Sequence, residues 1–87
     1  MEKVVVAGGT GFLGYHISKK LIKNNYNVYS ISKNPPPKKR YISKVKYLYY
    51  DLSKKKIYIK EISSCDYIIN CSGYGRHLKK KLLFEFL

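Results

Sequence analysis

The chain has 87 residues, 45% of them hydrophobic, and 18 Lys and Arg against 5 Asp and Glu give it a formal charge of +13. That length holds one small domain burying only about 60% of the surface exposed on unfolding, and the composition excludes a disordered chain. No apolar run approaches the roughly 18 residues of a bilayer span, and the opening MEKVVVAGG is too short an apolar run for a secretory signal. The expected compartment is the cytoplasm, or an organelle matrix such as the mitochondrion.

In chain order, residues 3–7 (KVVVA) form a β-branched run that suits a strand buried on both faces. Residues 12–24 place Leu13, Ile17 and Leu21 four apart, one face of a helix, and Asn24 and Asn25 suit its end. Residues 27–32 (NVYSIS) read as a second strand. Residues 33–40 (KNPPPKKR) are a loop, because prolines cannot donate to a ladder and the charges seek water. Residues 45–50 (VKYLYY) read as a third strand. Residues 53–64 are ambiguous: Ile57 and Ile59 alternate as in a strand, whereas Tyr58 and Ile62 share a helix face, and a short helix is the expectation. Residues 66–71 (DYIINC) read as a fourth strand. Residues 77–87 read as a helix, with Leu78, Leu82 and Phe86 four apart. Strand and helix periods alternate, so parallel β-α-β units in an open α/β sheet are expected.

The charge invites a nucleic-acid reading, since clustered cations release counterions from phosphates. Sixteen of the basic residues are Lys and only Arg40 and Arg76 are Arg, the better reader of phosphate and base edges. The lysines are spread along the sequence, so nucleic acid is not the expected main partner. A basic nucleic-acid-binding module, stacking bases on Tyr47, Tyr49 or Tyr50, is kept as the alternative. Cys65 and Cys71 on one strand stand roughly 20 Å apart at about 3.3 Å per residue, too far for a disulfide. No His/Cys grouping has metal-ligand spacing.

The most informative stretch is GGTGFLG, residues 8–14, which holds four of the six glycines between the first strand and the first helix. A tight strand-to-helix turn favours positive φ, which suits Gly8 or Gly9. Gly11 lacks a Cβ, so a pyrophosphate can approach the backbone. Gly14 costs about 1 kcal/mol against alanine in a helix, and close packing of helix on strand offsets this. The N–H groups of Gly11, Phe12 and Leu13 are expected to face the anion, with the positive end of the helix dipole behind them. A nucleoside-triphosphate loop is excluded, because Gly14 is followed by Tyr15 and His16 in place of Lys and Ser or Thr.

Four segments, VVVAGGTGFLG, VYSISKNP, VKYLYYDLS and CDYIINCSG, together resemble the short-chain dehydrogenase/reductase superfamily. The resemblance is to the N-terminal half of the Rossmann domain in its extended and atypical, NAD-dependent epimerase/dehydratase-like branch. It covers nearly the whole chain; the first segment is specific, and the others gain weight in combination. It implies an open parallel Rossmann-type sheet of order 3-2-1-4 with flanking helices, truncated after strand four, so that residues 1–87 are a partial NAD(P)-binding domain. A pyrophosphate would rest on Gly8, Gly9, Thr10, Gly11, Phe12, Leu13 and Gly14. Ser32 and Lys33 would face the adenosine ribose, Asp51 and Leu52 would flank the adenine, and Cys71, Ser72 and Gly73 would form the small-residue turn against the cofactor. NAD-preferring members carry an acidic residue at the end of the second strand; here that place has Ser32, Lys33 and Asn34, so the resemblance favours NADP over NAD.

The resemblance also implies a Tyr-x-x-x-Lys pair for proton transfer, placed beyond a fifth strand. Tyr15/Lys19 and Tyr50/Lys54 match the spacing at the wrong places, and neither is assigned as catalytic. No catalytic residue is therefore expected, and the chain alone should bind a dinucleotide without turnover. The family's order would leave strand four at an open edge, an aggregation hazard unless covered. A protein partner or a missing C-terminal half is the expected cover. The reading is an NAD(P)-binding half-domain of an epimerase/dehydratase-like oxidoreductase, the alternative within the family being a non-catalytic relative with a role in assembly.

Overall fold

A computed structural model describes residues 1–54 and 58–72, and the backbone of residues 82–85. The first strand, β1 (Lys3–Ala7), is buried from Val4 to Ala7, as a central parallel strand requires on both faces. Its alternation divides the core in two. Val4 and Val6 pack with Val28 and Ile69 beneath α1 (Phe12–Lys23), against Ile17, Leu21 and Ile22. Val5 and Ala7 pack with Ile31 and Ile68 on the opposite face, where Leu52, Ile59 and Ile62 cover them.

The helix stops where the asparagines stand. Asn25 takes φ of 66°, Tyr26 N–H donates to the Leu21 carbonyl at 3.0 Å and Asn25 N–H to that of Ile22 at 3.0 Å. This doubled bond is a Schellman motif, and Tyr26 and Leu21 add the apolar contact that accompanies it.

The sheet continues with β2 (Asn27–Ser32), β3 (Lys46–Tyr49), β4 (Tyr67–Asn70) and β5 (Leu82–Glu85), parallel throughout, in the order β3-β2-β1-β4-β5. The α/β class and the 3-2-1-4 order are those expected; the fifth strand is an addition. The helix read over residues 77–87 is corrected, because Leu82–Glu85 is a strand that pairs Leu82 with Ile68 and Glu85 with Asn70. A short apolar run such as LLFEFL fits a buried strand as well as a helix stripe, and an unpaired β4 edge rewards the strand. With β5 in place, β4 is no longer the sheet edge. His77, Leu78 and Phe86 lie outside the described residues, as do Gly73 and Ile57.

The loop after β2 contains a 3-10 turn at Lys38–Arg40, and Ile42 and Val45 return its chain to the α1 side of the core. The ambiguous stretch before β4 resolves as a short helix, α2 (Lys60–Ser64), with Ile59 buried just ahead of it. No helix among the described residues is long and apolar enough to cross a membrane.

Candidate functional site

The chain leaves β1 toward β2 on one side and later returns to place β4 on the other. A crevice at the carboxyl ends of the strands follows from that reversal. Here each ladder runs one bond past its strands: Gly8 N–H donates to the Ile31 carbonyl at 2.7 Å, Cys71 N–H to Ala7 at 2.7 Å and Tyr50 N–H to Ser32 at 3.1 Å. A cavity of about 390 Å³ opens above them, bounded by the glycine turn, the end of β2, residues 50–53 and Cys71–Ser72.

Three of the four glycines in the turn are required by the protein's own packing. Gly8 has φ of +80°, and a Cβ there would stand 2.9 Å from the Ser72 amide nitrogen. A Cβ on Gly9 would collide with the Ser30 side chain, and one on Gly14 with the Gly8 carbonyl and, at 2.7 Å, with Gly9 Cα. Gly11 differs. Its φ of −76° and ψ of 175° suit any residue, and among the described residues a Cβ would meet only the Gly8 carbonyl oxygen, at an ordinary 3.6 Å. Nothing among the described residues demands glycine at position 11, and its missing Cβ leaves open space at the mouth of the cavity.

Gly11 is also the N-cap of α1, without a side chain to cap the helix. The first helical bond is from Tyr15 N–H to the Gly11 carbonyl, at 2.9 Å. The N–H groups of Phe12, Leu13 and Gly14 precede it and have no partner among the described residues. The first turn carries no acidic side chain, so the positive end of the dipole is not neutralised. One expectation is corrected: the Gly11 N–H is not bare but donates to the Gly8 carbonyl at 3.3 Å, because the turn folds back on itself. The side chain of Phe12 stands 70% exposed, edge-on to His16 with ring centroids 4.6 Å apart. Phe12 and Leu13 thus bring amides to the turn, whereas their side chains do not line the cavity.

Ser32 lies under the turn. It is 8% exposed, and its hydroxyl accepts the Thr10 N–H at 3.3 Å, so it holds the loop as well as lining the cavity. Lys33, next in sequence, is exposed. Across from it Asp51 Oδ1 accepts both the amide and the hydroxyl of Ser53. Those two bonds, the hydroxyl's first, hold the Asp51 carboxyl below the ordinary range, and the Lys33 and Lys54 charges add to the effect. Asn70, buried at the end of β4, accepts the Ser72 amide at 3.0 Å and the Ser72 hydroxyl at 2.6 Å, fixing the turn beside Gly8. Burial pushes the Cys71 thiol up, so this cavity-lining sulfur stays protonated at neutral pH.

The structure therefore brings Gly8, Gly11, Ser32, Lys33, Asp51, Leu52, Cys71 and Ser72 to one cavity, with Gly9, Thr10 and Gly14 behind the turn. Ile31, Tyr50 and Ser53 also line it. The Asp51-Leu52-Ser53 spacing, typical of an Asx turn, could have located Ser53; Ile31 and Tyr50 resemble any strand residue. Of the two Tyr-x-x-x-Lys matches, Tyr15 is stacked under Lys19, whose Nζ lies 5.9 Å from the ring centroid, on the outside of α1. Such a site can take an elongated anion. The turn offers donor amides to it, and the other wall carries the exposed Lys33 and the Asp51 carboxylate fixed by Ser53.

Residues 4–84 match the family model described as NAD dependent epimerase/dehydratase family. Over 83 residues the chain is 34% identical to the bifunctional polymyxin resistance protein ArnA of Wigglesworthia glossinidia brevipalpis, a match covering 91% of this chain and 13% of that protein. Among solved structures, the UDP-glucose 4-epimerase of Thermotoga maritima with UDP-glucose superposes with a TM-score of 0.63 at 18% identity, covering 82% of this chain and 25% of that one. The UDP-glucuronic acid 4-epimerase of Bacillus cereus in complex with NAD gives 0.61 at 20% identity, covering 91% and 30%. These structural likenesses establish the fold, and the chain spans less than a third of each of these relatives.

Proposed function

The chain belongs to the NAD dependent epimerase/dehydratase family, and from that premise we propose that residues 1–87 are a partial Rossmann domain that binds a nicotinamide dinucleotide in the cavity at the strand ends. The pyrophosphate rests on the turn from Gly8 to Gly14, taking hydrogen bonds from the Phe12 and Leu13 amides and the positive end of α1. The adenosine ribose lies toward Ser32 and Lys33. The adenine lies along Asp51 and Leu52, and the turn at Cys71 and Ser72 packs on the cofactor. The carrying observation is Gly11: packing among the described residues does not need glycine there, whereas a docked diphosphate would.

The B. cereus neighbour was solved with NAD. In this chain the exposed Lys33 stands at the proposed ribose end, while Asp51 is tied to Ser53. That arrangement favours NADP over NAD, because a carboxylate on the ribose hydroxyls is replaced by a cation able to meet a 2′-phosphate. When bound, the nicotinamide supplies a hydride acceptor; these residues hold and orient it. No catalytic residue is assigned, so the activity of an epimerase/dehydratase-like oxidoreductase belongs to a longer parent. The partner or C-terminal half expected at the edge of strand four has its place taken there by β5, and a protein partner of this chain is a proposal only. The proposed compartment is the cytoplasm.

Calorimetric titration of the chain with NADP+ and NAD+ tests the reading. Both should bind, NADP+ more tightly. Absence of heat with either at millimolar concentration contradicts it.

A further inference from the structure

Ten basic residues and no acidic one lie between Glu2 and Asp51. Along the sequence the lysines look evenly spread; in the fold they are not. The two segments that hold most of those ten, α1 and the connection from β2 to β3, pack on the same side of the sheet through Ile17, Leu21 and Ile22 of the one and Ile42 and Val45 of the other. Lys19, Lys20 and Lys23 of α1 and Lys38, Lys39 and Lys44 of the connection are all exposed. Glu61 is on α2, whose flanks pack on the opposite side, Asp51 is in the cavity wall, and Glu2, ahead of β1, meets the Tyr67 hydroxyl on the β4 flank, away from the Tyr41–Tyr47 end of the layer. The α1 side is therefore a cationic layer with no carboxylate from either of its own segments.

Aromatic rings are set into that layer. Tyr41 is 58% exposed and stacks on Tyr47, with ring centroids 5.5 Å apart and planes 27° from parallel. The Tyr47 hydroxyl is fixed by the Ile42 amide at 3.0 Å, so the inner ring of the stack is held by the backbone. Tyr49, at the sheet edge, is 51% exposed. Arg40, beside Tyr41, has a buried Nε–H with no hydrogen-bond partner among the described residues.

We propose that the α1 side of the sheet, from the 3-10 turn across the Tyr41–Tyr47 stack to α1, binds single-stranded nucleic acid. Lys38, Lys39, Arg40 and Lys44 meet phosphates, and the exposed face of Tyr41 takes a base. The pairing of cations with an open ring face selects a single strand: a duplex or a lipid headgroup uses the charge but offers no free base to stack. The surface uses Lys19, Lys20 and Lys23 of α1 and residues 38–47, not the Phe12–Gly14 amides or Lys33, so it does not depend on the dinucleotide reading.

The test titrates the whole chain into a fluorescein-labelled oligouridylate of about 12 nucleotides, followed by anisotropy. Four phosphate contacts predict a slope of about −3 in log K against log salt, so affinity falls about fiftyfold from 50 to 200 mM salt. Tyr41→Ala should weaken binding about tenfold while Tyr41→Phe keeps it. Lys38→Ala with Lys39→Ala should weaken it and flatten the salt slope. Lys60→Ala, on the other side of the sheet, should change neither, and circular dichroism of each variant should match the parent. Excess NADP+ should not displace the oligonucleotide.

Four results overturn the proposal. They are no anisotropy change at 50 mM salt, equal losses in Lys60→Ala and Tyr41→Ala, displacement by NADP+, and tighter binding to duplex or to phosphatidylserine-containing vesicles than to the oligonucleotide.

Discussion

The two walls of the cavity are built by different physics. The glycine turn is fixed by contact: Gly8, Gly9 and Gly14 sit where any Cβ would strike backbone or the Ser30 side chain. The opposite wall, Ser32 to Lys33 and Asp51 to Ser53, is fixed by hydrogen bonds between short polar side chains and the backbone, on a half-exposed surface. The first wall should tolerate almost no substitution and the second a good deal. Within the first, Gly11 is the exception: it is dispensable for packing, and its assigned role is in binding.

The largest expected effect is on folding. Gly14→Val puts bulk into the Gly8 carbonyl and should cost about 3 kcal/mol, read from the urea midpoint, with binding lost as the turn is displaced. Gly11→Ala sharpens the contrast within the turn. Its stability should change by about 1 kcal/mol or less, whereas dinucleotide affinity should fall about ten- to a hundredfold as the methyl displaces charge-assisted bonds. If Gly11→Ala unfolds the chain as Gly14→Val does, the division of the turn into packing and binding glycines is wrong.

On the other wall, Lys33→Glu should leave the fold intact and lower the NADP+ over NAD+ preference about fivefold, measured by paired titrations. The smallest effect is on Asp51. Its carboxyl is held below the ordinary range in the folded chain, so its contribution to stability is present above the unfolded value and is lost as pH falls through the folded one. Ser53→Ala removes the largest cause, and NMR titration should show the Asp51 carboxyl moving up toward its ordinary value.

The same contrast explains what could be read from the sequence. β1, the turn and α1 were legible because their signals are local: a valine run, glycines at fixed spacing, apolar residues four apart and an asparagine pair at the stop. β5 was not, because LLFEFL carries the periods of both a helix stripe and a buried strand, and only pairing with β4 decides between them. The glycine positions pointed to the site, but not which glycine serves binding; that depends on Ser30 and Ser72, 21 and 64 residues beyond Gly9 and Gly8 and so unrecognisable in the sequence as their neighbours. The Gly11 amide looks bare in the sequence because glycines alone do not show whether the turn closes its own bond, here from Gly11 N–H to the Gly8 carbonyl three residues back. The gathering of the α1 and β2–β3 cations on one side of the sheet was equally hidden, since evenly spaced lysines do not reveal which of them share a face.

The most direct test of the central claim is a 15N–1H correlation spectrum of the chain, titrated with NADP+. The account predicts that the amides of Phe12, Leu13 and Gly14 shift most, because they are the free donors at the open Gly11 corner. Unmoved Phe12 and Leu13 amides at saturation, with shifts confined to other parts of the chain, would contradict it.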